Sequence, residues 1–156
     1  MDIVTPEKRS SMMAGIKSKN TKPEIYVRKS LHKRGFRYRL HANKIIGKPD
    51  LSLGKYNAII FINGCFWHKH DCNLFKMPKT RRDFWSEKLN KNKARDEDVT
   101  AKLLALGIRV CIIWECSLKN KRTADLDAII DIVENWLRGN HNYIELTGAS
   151  TMNREI

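Results

Sequence analysis

The sequence predicts an α/β fold in which helices flank a mixed central sheet. Two short hydrophobic runs, residues 58–62 and 110–114, have the length and composition of buried strands. Residues 49–53 alternate between polar and apolar and are separated from the first run by a Gly-Lys turn, as in a β-hairpin. Helical periodicity precedes and follows these strands, so the predicted order is helix, strand, hairpin, helix, strand, helix.

Length and charge indicate a single domain that binds a polyanion. The 156 residues form a chain long enough to bury a core without disulfides. Lysine and arginine number 30 against 17 acidic residues, which gives a formal net charge of +13. An excess of this size favours nucleic acid as the partner over a merely soluble basic protein, because binding to phosphates releases condensed counterions.

The predicted compartment is the cytoplasm. No apolar run approaches the roughly 20 residues that a membrane span needs. Residues 1–6 lack the basic and apolar regions of a secretory signal. Four cysteines without an export signal suggest reduced thiols, which in that setting bind metal more often than they pair.

The N-terminal segment, residues 1–19, is predicted to be a basic arm or short helix that carries methionines. Met13 could act as a wedge that opens a base step from the minor groove. The alternative is an arm that docks loosely on the core through its methionines.

The first predicted helix begins at Thr21 and ends at Gly35. Thr21-Lys-Pro-Glu24 has the form of a capping box, with threonine as the N-cap and glutamate three residues later. Glu24 is therefore either a capping partner or a catalytic carboxylate, and the local pattern favours the first role.

The predicted hairpin creates a candidate magnesium site. Residues 36–41 alternate like a strand with one basic face, and residues 43–48 form a polar loop. Pairing of residues 49–53 with residues 56–62 places Asp50 close to Ile62. A carboxylate, the Ile62 backbone carbonyl and solvent would form the oxygen-rich site that Mg²⁺ prefers.

A short loop after the first buried strand predicts a structural zinc site. Cys65, His70 and Cys72 supply two thiols and one imidazole, and tetrahedral closure needs one further ligand. Cys116, at the end of the second buried strand, is the best candidate, whereas Cys111 is interpreted as a core thiol. In that arrangement His68 is left free for chemistry.

Two more helices complete the predicted fold. Thr80-Arg-Arg-Asp83 resembles a second capping box and starts a long helix whose polar middle is a solvated face or a track for phosphates. Asp96, within that polar middle, is a surface charge unless it orients a catalytic group. Residues 123–139 form an amphipathic helix that packs on the core. Residues 140–156 are predicted to be a polar, mobile tail.

Several motifs together carry a family resemblance. In order and spacing over residues 6–120, the chain resembles the Vsr very-short-patch mismatch repair endonucleases. The motifs are Gly-Lys-Pro-Asp50, Ile60-Phe-Ile-Asn-Gly-Cys-Phe-Trp-His68, Lys69-His-Asp-Cys72, Thr80-Arg-Arg-Asp-Phe-Trp85 and Trp114-Glu-Cys116.

The resemblance implies a restriction-endonuclease-like fold with a structural zinc ion. It also implies an enzyme that nicks one strand on the 5′ side of the thymine in a T:G mismatch, the lesion left when 5-methylcytosine deaminates. The implied cofactors are a catalytic Mg²⁺ and one structural Zn²⁺ per chain. The implied partners are mismatched double-stranded DNA, bound by a monomer, together with other mismatch-repair proteins and a DNA polymerase. The setting would be the bacterial cytoplasm, with the protein on the nucleoid.

The same resemblance implies a role for each candidate residue. Asp50 matches the magnesium-binding carboxylate, with the Ile62 carbonyl as a second ligand. His68 matches the catalytic histidine, and Glu24 a helix carboxylate at the active site. Zinc would be bound by Cys65, His70, Cys72 and Cys116. The aromatics that wedge into the duplex would be Phe66, Trp67 and Trp85.

Two positions depart from the family pattern. Ile62 stands where threonine is usual, which matters little if only the backbone carbonyl binds metal. Asn63 stands where a second histidine is usual. Because an amide cannot exchange a proton near neutral pH, His68 would do any acid or base work alone. Asp96, which is suited to orienting an imidazole, would lose its partner if that partner were the missing histidine.

Two other functions are weighed against the mismatch nickase. A restriction or recombination nuclease of the same fold is disfavoured, because residues 61–63 contain neither the acid nor the lysine usual after the first aspartate. A zinc-stabilised DNA-binding module without activity would retain the zinc ligands and the basic charge. Such a module has no need of Asp50, His68 and Glu24 together.

Overall fold

The structure is a computed structural model that describes residues 20–148. The predicted N-terminal arm, including Met13, and residues 149–156 of the predicted tail lie outside the described residues. Within residues 20–148 the helices and strands are α1 (Lys22–Lys33), β1 (Arg39–Leu40), β2 (Leu51–Leu53), β3 (Ala58–Asn63), α2 (Arg82–Ala105), β4 (Arg109–Trp114), α3 (Thr123–Arg138) and β5 (Tyr143–Leu146).

The strands form one mixed sheet in the order β1-β2-β3-β4-β5. β1, β2 and β3 pair antiparallel, whereas β3, β4 and β5 run parallel. The predicted hairpin is confirmed, with Leu51 opposite Ile60. Asn63 lies opposite Trp114, so β3 and β4 end at the same edge of the sheet. The chain segments that follow these two strands therefore start side by side.

Helices cover both faces of the sheet, as the α/β prediction requires. Alternate residues of a strand point to opposite faces. Cys111 and Ile113 pack with α1 and α3, in a cluster that includes Leu31 and Ile130. Ile112, by contrast, belongs to a second cluster, which contains buried Leu103 of α2. The interpretation of Cys111 as a core thiol is confirmed.

Helix α1 starts as predicted, but its capping box is not reciprocal. Thr21 Oγ1 accepts a hydrogen bond from the Glu24 backbone N–H at 3.4 Å. The Glu24 carboxylate accepts from the backbone N–H of Asn20 at 3.1 Å instead of from that of Thr21. Glu24 is also buried, with 1 % of its surface exposed. A buried carboxylate in a first helical turn needs hydrogen bonds or charged partners in addition to the helix N–H groups.

Helix α2 is long and polar, but its predicted capping box is wrong. The helix has 24 residues, which corresponds to a length of about 36 Å. Its N-cap is Arg81, which has a left-handed backbone (φ 53°) and makes no side-chain capping hydrogen bond. Thr80 therefore lies one residue outside the position from which it could cap the helix.

Two predicted segments around the edges of the sheet need correction. The strand predicted over residues 36–41 is limited to Arg39–Leu40, since Phe36 turns into the core after Gly35 ends the helix with φ 95°. The prediction of a mobile tail is wrong for Tyr143–Leu146, which form β5 parallel to β4. Leu146 is buried at 2 % exposure. Because this edge strand buries only one face, two apolar residues are enough to anchor it to the sheet. Two apolar residues are a weak signal for a strand in the sequence.

The described part of the chain contains no helix with both the length and the apolar character of a membrane span.

Candidate active site and metal centre

Four side chains form a cluster of the type that binds zinc. The donor atoms of Cys65, His70, Cys72 and Cys116 all lie within 4.8 Å of one another. Cys116 Sγ is 3.6 Å from His70 Nδ1. Zinc–ligand bonds of about 2.0–2.3 Å in a tetrahedron would separate two ligands by roughly 3.5–3.8 Å. The structure therefore brings the four predicted ligands together at a spacing that fits a tetrahedral ion.

The electrostatics of this cluster also fit a cation. Cys65 is fully buried, and burial raises the pKa of its thiol. Burial likewise raises the pKa of Cys116. A thiolate in this environment is costly unless positive charge is bound beside it, and a coordinated thiol is deprotonated by its metal. The chemistry of the donor set therefore fits a bound metal cation.

Backbone hydrogen bonds shape the loop that carries three of the four donors. The loop, residues 64–72, folds back so that His70 N–H donates to the Cys65 carbonyl at 2.9 Å. His68 N–H donates to the Gly64 carbonyl at 3.3 Å. Cys116 arrives from the segment after β4, which ends beside β3 in the sheet. The parallel pairing of two strands is therefore what closes the cluster.

Strand β5, which lies in the segment predicted to be a mobile tail, supports this cluster. The His70 ring stacks on Trp114, with centroids 4.1 Å apart and planes 12° apart. Trp114 Nε1–H donates to the carboxylate of Glu145. Tyr143 OH donates to the other oxygen of Glu145 at 3.0 Å. The imidazole of His70 therefore rests on a tryptophan that is held by the edge strand.

Asp50 lies where the hairpin predicts, beside Ile62. The Ile62 N–H donates to Asp50 Oδ2 at 2.7 Å. In a strand, the N–H and C=O of one residue point towards the same neighbouring strand. The Ile62 carbonyl therefore faces the side of β3 on which Asp50 lies, as the predicted pair of cation ligands requires.

Two further side chains join Asp50 in a second cluster. Donor atoms of Glu24, His41 and Asp50 lie within 4.8 Å of one another. His41 Nε2–H donates to Glu24 Oε2 at 2.8 Å, and Arg28 Nη1 donates to the same oxygen at 3.0 Å. His41 was not among the predicted site residues, because it was predicted only as the end of a strand. Its position becomes clear from the pairing of β1 with β2, which places the residue after Leu40 opposite Asp50.

The positive charge beside this second cluster is too small to balance its two carboxylates. The Glu24 side chain is 2 % exposed and the Asp50 carboxylate lies close to it. Burial, opposed by the Ile62 hydrogen bond and reinforced by the charge of Glu24, raises the pKa of Asp50 from 3.8 to about 6. Only Arg28 is ion-paired with Glu24 among the described lysines and arginines. Two neighbouring carboxylates with one arginine fit a divalent cation.

The raised pKa of Asp50 predicts that replacing this residue increases the stability of the fold, by an amount that depends on pH. The folded protein holds this proton more tightly than the unfolded chain, so the stability contributed by Asp50 declines as pH rises from about 4 to 6. Asp50→Asn removes the cost of the ionised form, and we expect it to stabilise the magnesium-free, zinc-loaded protein by about 1–3 kcal/mol at pH 7.5. Urea unfolding of both proteins measures the difference.

The matched control is Asp127→Asn on the exposed side of α3. We expect no comparable gain from that substitution. The advantage of Asp50→Asn should narrow as pH is lowered from 8 to 5.5. An Asp50→Asn protein that is less stable than its parent at pH 7.5 would contradict the claim that ionised Asp50 is costly to bury.

His68 and Asp96 form a hydrogen-bonded pair. His68 Nδ1–H donates to Asp96 Oδ2, which joins the loop to the middle of α2. Asp96 therefore keeps an imidazole partner despite Asn63, and the concern that it loses one is unfounded. Asn63 is buried at 8 % exposure. Together with His68 and Asp96, it lines two open cavities of about 390 Å³ and 470 Å³.

Basic side chains line the smaller cavity, where Lys48 and Arg95 accompany His68 and Asp96. The larger cavity is mixed in charge, since its two lysines, Lys69 and Lys93, are accompanied by the carboxylates of Asp71, Glu97 and Glu145. The free Nε2 of His68 is the atom available for proton transfer, since Nδ1 is held by the carboxylate. The arrangement suits a group that handles a proton beside a bound phosphate.

The predicted wedge aromatics lie together on one surface. The rings of Phe66, Trp67 and Trp85 are 5.1–5.9 Å apart, in edge-to-face or tilted contacts. Lys88 Nζ lies 5.6 Å from the Trp67 ring and 5.7 Å from the Trp85 ring. Phe84, which sequence analysis did not single out, packs edge-on against Trp85 and is 42 % exposed. A partly exposed aromatic patch with a cation on it can stack bases and contact phosphate.

Comparisons with known proteins identify a matching family and several relatives. A family model described as DNA mismatch endonuclease Vsr matches residues 1–74. The DNA mismatch endonuclease Vsr of Escherichia coli is 37 % identical over 138 residues, which cover 88 % of each protein. The type II nicking enzyme V.NmeAIP of Neisseria meningitidis is 50 % identical over 120 residues, 77 % of this chain and 86 % of the relative. V.XorIIP of Xanthomonas oryzae, another type II nicking enzyme, is 43 % identical over 119 residues, 76 % and 88 % respectively.

Proposed function

The chain belongs to the Vsr family of DNA mismatch endonucleases, and from that premise we propose that it nicks one strand of double-stranded DNA on the 5′ side of the thymine in a T:G mismatch. The mismatch would arise from deamination of 5-methylcytosine. One observation carries the proposal: a single loop, residues 64–72, contains three zinc-type donors, two of the wedge aromatics and His68. The imidazole of His68 is hydrogen-bonded to Asp96 of α2.

The proposed cation ligands divide into two sets. Asp50 and the Ile62 carbonyl, with Glu24 nearby, would hold Mg²⁺, and Cys65, His70, Cys72 and Cys116 would hold one structural Zn²⁺. A divalent cation at the first set supplies positive charge to the phosphate and makes a water molecule more acidic. Burial and the Ile62 N–H hold the Asp50 carboxylate in one orientation for that task.

His68 is the proposed proton carrier. Asp96 fixes the tautomer by accepting from Nδ1, which leaves Nε2 to accept a proton from the attacking water or to orient that water. Asn63 lines the same cavity but has no titratable group. His68 therefore does this work alone. The hydrogen bond from Asn92 Nδ2 to the Trp67 carbonyl, at 3.1 Å, also holds the loop against α2.

Preference for a mismatch follows from the energy needed to open the duplex. Separating a T:G wobble pair costs less than separating a matched pair. A base stacked on an inserted aromatic recovers about 1–3 kcal/mol. Phe66 and Trp67, on the loop that carries His68, offer such a surface together with Trp85 of α2. The formal charge of +13 supplies binding to the backbone that does not depend on sequence.

The proposed setting is the bacterial cytoplasm, where the protein would act on DNA as a monomer. Other mismatch-repair proteins and a DNA polymerase are its proposed partners, because a nick beside a mismatch still requires removal and resynthesis of the strand.

The decisive experiment compares matched and T:G-mismatched duplexes, each labelled on both strands, with Mg²⁺ and zinc-loaded protein. We expect a single nick on the thymine strand of the mismatched duplex, 5′ of the thymine, and no cut in the matched duplex. An otherwise identical A:T duplex is the control for sequence context. Double-strand cuts would indicate a restriction-type nuclease, and binding without cleavage would indicate a DNA-binding module.

A further inference from the structure

His41 is the member of the second cluster to which neither the family resemblance nor the proposed mechanism gives a role. It directly follows β1, whereas Glu24 lies in α1 and Asp50 directly precedes β2. Their donor atoms nevertheless lie within 4.8 Å of one another. One imidazole and two carboxylates from three separate elements therefore converge on a single point.

The distances fit ligands that share one ion. Adjacent ligands on a cation with bonds of about 2.1 Å lie roughly 3.0 Å apart, and opposite ligands roughly 4.2 Å apart. His41 Nε2 and Glu24 Oε2 are 2.8 Å apart, close to the adjacent spacing. An ion about 2.1 Å from both atoms would lie roughly 1.5 Å to one side of the line that joins them. The nitrogen binds such an ion in the tautomer whose Nε2 carries no hydrogen, so the metal bond would replace the hydrogen bond to Glu24.

The backbone holds His41 in place for this role. Its N–H donates to the Asp50 carbonyl at 3.0 Å, and the next residue, Ala42, donates to the Pro49 carbonyl at 3.3 Å. His41 adopts a left-handed conformation with φ 49°, which is uncommon for a residue other than glycine. The two chain segments thus fix His41 directly beside Asp50. On the opposite side, Arg28 and the Asn20 N–H hold Glu24.

The ligand types decide which ion the cluster should favour. Mg²⁺ is a hard cation that takes oxygen ligands and keeps several waters. An imidazole nitrogen suits first-row transition ions such as Zn²⁺ and Fe²⁺; Mn²⁺ also takes oxygen ligands, but it accepts an imidazole more readily than Mg²⁺ does. Arg28, 3.0 Å from Glu24, offsets one of the two carboxylate charges and weakens any purely electrostatic site. A coordinate bond from nitrogen is therefore worth more here than in a site with uncompensated carboxylates.

We infer that His41 is a third protein ligand of the cation site at Asp50 and Glu24, and that its imidazole makes the site bind Mn²⁺ more tightly than Mg²⁺. The inference deepens the proposed function, on which it rests, by naming the ion class that the active site selects. The competing interpretation is that His41 only orients Glu24 through its hydrogen bond.

Electron paramagnetic resonance with Mn²⁺ distinguishes the two interpretations. Zinc-loaded protein is titrated with MnCl₂, free Mn²⁺ is measured from its six-line signal, and MgCl₂ is then added as a competitor. Spin-echo modulation of the bound Mn²⁺ reports directly whether an imidazole nitrogen is coordinated. We expect nitrogen modulation in the unmodified protein, and displacement of Mn²⁺ only by a large excess of Mg²⁺.

His41→Gln is the informative variant, because glutamine can still donate a hydrogen bond to Glu24 but is a poor metal ligand. We expect this variant to lose the nitrogen modulation and to bind Mn²⁺ about tenfold to a hundredfold more weakly. Its affinity for Mg²⁺ should change by less than about threefold, since magnesium depends on the oxygen ligands. The control is His32→Gln, an exposed histidine in the last turn of α1.

Two results would overturn the inference: no nitrogen modulation in the unmodified protein, or a His41→Gln variant that binds Mn²⁺ as tightly as its parent. The modulation measurement needs no variant, so a poorly folded His41→Gln protein does not prevent the test. Nicking of the mismatched duplex is measured separately. Nitrogen-coordinated Mn²⁺ in a protein that cuts no mismatch would refute the proposed function and leave the inference standing.

Discussion

Replacement of Asp50 by asparagine is expected to slow nicking of a T:G duplex by about a thousandfold or more. An amide oxygen can still accept the Ile62 N–H bond, so the local geometry should persist. What is lost is the negative charge that holds the divalent cation, whose effect on the transition state is worth several kcal/mol, with each 1.4 kcal/mol equal to about a factor of ten. Single-turnover cleavage of end-labelled duplex at saturating protein measures the rate.

The expected stability of Asp50→Asn separates a loss of catalysis from a loss of folding. Because ionised Asp50 is buried at a cost, Asp50→Asn should be inactive while being more stable than its parent at neutral pH. Binding to mismatched DNA and the zinc content should both be retained. Asp127→Asn serves again as the control and should nick at the parental rate. Full activity in Asp50→Asn would refute the role proposed for this carboxylate.

Loss of one zinc ligand is expected to have the largest effect on stability. Cys72→Ser should abolish tight binding of the single zinc ion and lower the melting temperature by more than about 10 °C. The free energy of binding a structural zinc ion is about 10–16 kcal/mol, and much of it is available to folding. Without the ion, the buried Cys65 thiol is left beside the Cys116 thiol, with which it no longer shares a metal. Elemental analysis and calorimetry provide the two measurements.

Cys111→Ala is the matched control, because this cysteine is buried in the other hydrophobic cluster. It should retain one zinc ion per chain and lose only the modest stability that a small cavity costs. Equal zinc content in Cys72→Ser and Cys111→Ala would show that the four-residue cluster does not bind the ion. Nicking by Cys72→Ser should also fall, since His68 lies between two of the cluster's ligands in the loop.

The features that could be predicted from the sequence are those fixed by local chemistry. Cys65, His70 and Cys72 occur within one loop, and the hydrophobic runs around them identify the strands that bring Cys116 nearby. Asp50 could be placed beside Ile62 because a hairpin has only one register that keeps both apolar faces buried. The mixed sheet and the amphipathic helix Thr123–Arg138 followed from periodicity in the same way.

The features that were missed depend on tertiary contacts. Strand β5 pairs with β4 and buries little more than Ile144 and Leu146, so its sequence looks like a polar tail. Glu145 gains its meaning only from Trp114, 31 residues earlier. His41 is recognisable only once its position opposite Asp50 is known. Asp96 was predicted as a candidate site residue, but only its contact with His68 decides between a surface charge and a carboxylate that orients an imidazole.

Helix α2 adds a mechanical constraint to this arrangement. Trp85 and Asp96 lie on this one helix, 11 positions apart (85 to 96), which is about three turns and places them on the same side. A continuous helix moves as a stiff lever, so a displacement of the tryptophan along the helix axis displaces the carboxylate by nearly the same distance. The position of the aromatic surface against a bound base and the orientation of the His68 imidazole are therefore coupled through α2.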